Sequence, residues 1–144
     1  MCFYKDPRHW EVKTATRDMI CYKGIRVYPE TEDLYAVYHL NYKYTLNKLL
    51  RSRLDRDGMR FVYCGFHSFS SKKAAEFRKR EWREQFTSTS LYIKIFVCII
   101  PAGSNYFWNP DRGEYVSNRL IVTNEVITSS GIYTSFKKRL KRIY

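Results

Sequence analysis

The chain has 144 residues, the size of one domain, and 44% of them are hydrophobic, enough to bury a core. Its formal net charge of +12 favours anionic partners, namely nucleic acid, nucleotides or acidic protein surfaces. The longest apolar run, IFVCIIPAG, is far too short to span a bilayer, and the aromatic, mixed N-terminus MCFYKDPRHW lacks the apolar segment of a signal peptide, so a soluble, reducing, cytoplasmic setting is expected and a membrane partner is not.

In chain order, MICYKGIRV (Met19 to Val27) reads as a first strand. From Leu34 to Tyr44, residues Leu34, Ala36, Tyr38, Leu40 and Tyr42 alternate onto one face. That stretch reads as a strand or as the lead into a helix through TLNKLLRSRL, where Leu46, Leu49, Leu50 and Leu54 recur at helical spacing. Asp57-Gly58 breaks the chain, and Phe61 to Phe66 reads as a strand. Ser70 or Ser71 then caps a helix whose inward stripe is Ala74, Ala75, Phe77, Trp82 and Phe86. Leu91 to Ile100 is a β-branched strand bounded by Pro101 and Gly103, and Arg119 to Ile127 is another strand or strand pair. The expectation is one α+β domain over residues 1–144, with a core at about 19–128 and a basic C-terminal segment at 136–144.

The positive charge concentrates at Lys48 to Arg60, with Arg51, Arg53 and Arg56, at Lys72 to Arg83, and in the tail KKRLKR. Glu76, Glu81 and Glu84 partly neutralise the middle group, which reads as a solvated helix face. Cys2, Cys21, Cys64 and Cys98 form no CxxC pair, and His9, His39 and His67 have no metal-ligand spacing, so no metal is expected. Cys21, Cys64 and Cys98 read as small hydrophobes in strands. No G-x-S-x-G, Walker loop or dinucleotide fingerprint is present.

Three phrases remain in order: CYKGI (Cys21 to Ile25), FHSFSSKKAAEF (Phe66 to Phe77) and IIPAGSNY (Ile99 to Tyr106). Together they resemble the ADP-ribosyltransferase family of the arginine–serine–glutamate type. Lys23 stands where that family has arginine, and Ser68-Phe69-Ser70 replaces its S-T-S strand edge. The resemblance implies an ADP-ribosyltransferase-like fold of mainly antiparallel strands with a few helices, and NAD or a related nucleotide as ligand. The implied ligand-binding residues are Tyr22, Lys23, Gly24, His67, Ser68, Phe69, Ser70 and Arg119.

Two alignments of the catalytic glutamate stay open. TNEVI places Glu125 as the catalytic acid of an active mono-ADP-ribosyltransferase. SNRLIV places Arg119 there instead, and a cation could hold an anionic nucleotide but could hardly stabilise an oxocarbenium ion. A second resemblance, carried by MCFY, DMICYK, G-x-HSF, IIPAGSNY and YVSNRLIV, is to small bacteriophage-encoded proteins. It implies a role against nucleotide-based host defence. The leading expectation is therefore a binder of an anionic nucleotide or NAD-like ligand. Glu125-dependent transfer is one alternative, and a basic nucleic-acid or host-protein binding module is the other.

Overall fold

The computed structural model describes residues 2–3, 11–28, 30–37, 42–57, 61–85, 92–128 and 133–136. They form fourteen strands and one helix. The strands are β1 (Cys2–Phe3), β2 (Lys13–Thr14), β3 (Met19–Val27), β4 (Leu34–Tyr35), β5 (Lys43–Tyr44), β6 (Leu49–Arg51) and β7 (Asp55–Asp57). They continue as β8 (Phe61–Cys64), β9 (Phe66–Phe69), β10 (Tyr92–Ile100), β11 (Asn105–Asn109), β12 (Glu114–Ser117), β13 (Arg119–Ile127) and β14 (Tyr133–Ser135). The helix, α1, runs from Lys72 to Gln85.

This overturns the α+β, ADP-ribosyltransferase-like expectation: the molecule is a β-rich domain of antiparallel strands carrying a single described helix. The error has a local cause. The leucine spacing of TLNKLLRSRL suits a helix, but Leu49–Arg51 pairs with β13, with Leu50 opposite Leu120. A three-residue edge strand satisfies the leucines as well as a helical turn would, and tertiary pairing decides between them. The strands at Met19–Val27, Tyr92–Ile100 and Arg119–Ile127 lie where the sequence places them.

One large sheet follows the order β14-β13-β10-β3-β9-β12-β11-β2; off this path β4 pairs β3, β5 pairs β4, and β6 pairs β13. A smaller sheet has the order β1-β8-β7. The two long central strands pair along their whole length, from Met19 opposite Ile100 to Val27 opposite Tyr92. By contrast, β3 meets β9 in register only at Tyr22 and Phe69.

The connectivity shows that this sheet curls. β12 and β13 stand four places apart in the hydrogen-bonded order, about 19 Å in a flat sheet. Only Asn118 separates them in sequence, and two Cα steps reach roughly 7 Å. The sheet must therefore bend over until its two halves meet at a corner at Asn118. Hydrogen bonds hold that corner: the Asn118 N–H donates to Asn105 O, and the Ser52 N–H donates to Asn118 O.

Curling gives the sheet an inner and an outer face. Inside lie Cys21, Ile25, Phe66, Phe96, Cys98, Ile100, Leu120, Val122 and Val126. On the outer face, α1 packs its Ala74 and Ala75 over Tyr22, Phe69, Ile93, Ile95 and Ile127. Ser71, rather than Ser70, caps the helix: the Ala74 N–H donates to Ser71 Oγ at 3.1 Å. Phe77, expected to point inward, is 57% exposed, so the small alanines make the close contact with the sheet. The side chains of Trp82 and Phe86 and the basic tail beyond Phe136 lie outside the described residues.

Candidate functional site

The expected ligand residues divide between three places. The first is the seam between β3 and β9. Alternation along β3 turns Cys21, Lys23 and Ile25 inward. Lys23 is 9% exposed, and its ammonium donates to His67 O and lies 5.6 Å from the Tyr44 ring. A buried cation needs such partners. Ser68 is fully buried on the neighbouring strand, directly opposite Tyr115. Tyr22 and Phe69 face the helix instead, and Gly24 is buried opposite Ile95. The Ser70 N–H donates to Gly113 O.

Beside this seam the structure adds two residues that the sequence reading missed. Glu114 is 1% exposed, and its carboxylate lies 2.8 Å from His67 Nδ1 and 3.1 Å from Arg112 Nε. Burial holds the His67 imidazole below its ordinary range, against the opposing pull of Glu114. No local motif announces this cluster, since residue 67 and residue 114 meet only through the β9–β12 register.

Arg119 is elsewhere. Met19 marks the end of β3 nearest the Pro101–Ser104 turn, and Lys23 lies roughly 13 Å further along the strand. At that turn Arg119 Nη2 donates to Ala102 O at 2.8 Å, and its Nε donates to Ser104 Oγ at 3.2 Å. The turn is itself tied down: the Ala102 N–H donates to the Asp18 carboxylate at 2.8 Å, and the Gly103 N–H donates to Ala15 O. Glu125 is in a third place. It is exposed opposite Ser135, and its N–H is taken by Thr123 Oγ1. The structure thus brings Lys23, His67 and Ser68 together and sets Arg119 and Glu125 apart from them.

Arg119 does have a cationic neighbour. It stands directly opposite Arg51 on β6, a like-charge cross-strand pair that ordinarily costs stability. One step along the same face, the register carries Ile20 opposite Ile99, Ile99 opposite Ile121, and Ile121 opposite Leu49. Four aliphatic side chains from β3, β10, β13 and β6 thus form one row across the outer face. Ile20 is 63% exposed and Leu49 40%, while Ile99 and Ile121 are half-buried. Helix α1 packs on another part of this face, over Tyr22, Phe69, Ile93, Ile95 and Ile127, and the row lies outside that cluster. Arg17, Lys48 and Arg53 are exposed near this end of the sheet.

Three aromatic residues of the β11–β12 hairpin pack on one another. Tyr106 and Tyr115 pack edge-on at 5.6 Å against each other and against the inner core, and Trp108 tilts over Tyr115 at 4.7 Å.

Among the described residues no group of three or more His, Cys, Asp or Glu is placed to hold a metal ion, and no helix is long and apolar enough to cross a membrane. No family model, curated protein or solved structure matches the chain.

Proposed function

We propose that this protein is a binding module that docks an acidic, partly apolar protein surface on the part of its outer sheet face outside the α1 cluster. The observation that carries this reading is the row Ile20–Ile99–Ile121–Leu49, exposed at its two ends and half-buried between them, running beside the Arg119–Arg51 pair. Each half of the surface is unfavourable in the free protein, for different reasons. Exposed aliphatic area forgoes its burial energy, and opposed arginines repel. An occupant with carboxylates and aliphatic side chains relieves both.

Two features favour a partner of that chemistry over the alternatives. A second copy of this chain would bring its own arginine pair and its own large positive charge to the interface. Nucleic acid would use the arginines but gain little from the isoleucine and leucine side chains of the row, which offer no face on which a base can stack. The fixed geometry of Arg119, held by Ala102 and Ser104, also lowers the entropy lost on pairing with a carboxylate.

The test compares three probes by fluorescence anisotropy: an amphipathic peptide with a leucine face and a glutamate face, a glutamate-only peptide, and a single-stranded oligonucleotide of equal charge. The amphipathic peptide is expected to bind tightest and to retain binding at moderate salt. If the oligonucleotide binds tightest and its affinity falls steeply with salt, the surface is a nucleic-acid interface and the proposal is wrong.

A further inference from the structure

The inner face holds a polar group that the docking surface does not use. Cys21 and Cys98 stand directly opposite each other on β3 and β10, both fully buried and both free thiols. Directly opposed residues on antiparallel strands have Cα atoms about 4.5–5.5 Å apart, inside the range a disulfide spans.

The surroundings are unusual for cysteines that serve only as small hydrophobes. The Lys23 ammonium lies on the same inward face two residues along β3. The Ser68 hydroxyl is buried without a hydrogen-bond partner on the strand beside Cys21, and it helps to lower the Cys21 thiol. Burial pushes the Cys21 thiol up, but Cys98, Ser68 and Lys23 together outweigh it and leave Cys21 below its ordinary range. Burial first, and then Cys21, push Cys98 well above its own. Cys21 is thus the more acidic of the two thiols.

We propose that Cys21 and Cys98 form an oxidation site, at which a small hydroperoxide such as hydrogen peroxide produces a disulfide between the two central strands. The Cys21 thiolate attacks one peroxide oxygen, and the O–O bond breaks. Sulfur is oxidised to a sulfenic acid, and the leaving hydroxide takes up a proton to become water. The Cys98 sulfur then attacks the Cys21 sulfur, forming the S–S bond. The departing hydroxide combines with the Cys98 proton as a second water. Two thiols and one peroxide give one disulfide and two waters. Because both sulfurs are fully buried, peroxide reaches them only through brief local openings, which keeps the reaction slow.

The test treats the folded chain carrying Cys2→Ser and Cys64→Ser with hydrogen peroxide and maps its peptides by mass spectrometry. The expected product links the peptides containing Cys21 and Cys98 and has lost two hydrogens. In the further variant Cys98→Ser the disulfide cannot close, and dimedone is expected to capture a sulfenic acid at Cys21. A folded protein, by circular dichroism, that gives neither the link nor the dimedone adduct overturns the proposal. So does oxidation that begins at Cys98.

Discussion

Replacing Ile20 by alanine separates what the fold needs from what a partner needs. Ile20 is 63% exposed in the free protein, so its truncation is expected to move stability by no more than about 0.5 kcal/mol. Full burial of an isoleucine side chain stabilises by about 1.5–3 kcal/mol. The exposed share is what a docked partner can still cover, which leaves about 1–2 kcal/mol for binding. That corresponds to a roughly 5- to 30-fold rise in Kd, with the lower end expected because alanine keeps a methyl group. Anisotropy with the leucine–glutamate peptide reads the affinity, and thermal unfolding reads the stability. An unchanged Kd together with an unchanged Tm would refute the reasoning, because the most exposed member of the row would then touch nothing.

Other expectations follow from the same geometry. Arg51→Gln relieves the like-charge pair, so the free protein should gain about 0.2–1 kcal/mol in denaturant unfolding while acidic-peptide binding weakens and loses salt dependence. Glu114→Gln removes the carboxylate that His67 and Arg112 share inside the protein, and urea unfolding should show a loss of about 3 kcal/mol or more. His67 is held below its unfolded value of 6.5, so the unfolded chain binds the extra proton first as pH falls. Its contribution is full above pH 6.5 and falls away from there down to its lower folded value; His67→Gln should flatten that part of the stability profile. Gly65→Ala should destabilise strongly in thermal melts, since Gly65 has φ +136° and an added Cβ would meet Val116 Cγ1 at 2.5 Å.

The sequence carried the long central strands and lost much of what joins them. MICYKGIRV and the stretch to Ile100 are β-branched and bounded by turn residues, so their identity is local information. Leu49–Arg51 was ambiguous because leucine spacing cannot distinguish a helical turn from a short edge strand without its partner β13. The β11–β12 hairpin went unread, although Asn109, Pro110, Asp111 and Gly113 supply its turn chemistry, with the Asp111 N–H donating to Asn109 Oδ1. Lys23 and Ser68 come from strands that pair, β3 and β9, but alternation alone does not say that Lys23 faces a closed interior. Arg119 stands out in the sequence only through the alignment that puts it at the position of the catalytic glutamate. Its opposition to Arg51, and the Ile20–Ile99–Ile121–Leu49 row beside it, exist only in cross-strand register, which no window of sequence contains.

Methyl-labelled NMR during titration with the leucine–glutamate peptide tests the central claim most directly, because it reads each side chain of the row at once. The account predicts shift changes concentrated at the methyl groups of Ile20, Leu49, Ile99 and Ile121, with Ile25, Ile95 and Val122 unmoved. Changes confined to the β3–β9 seam around Lys23 and Ser68, or binding that leaves the four row residues unaffected, would contradict it.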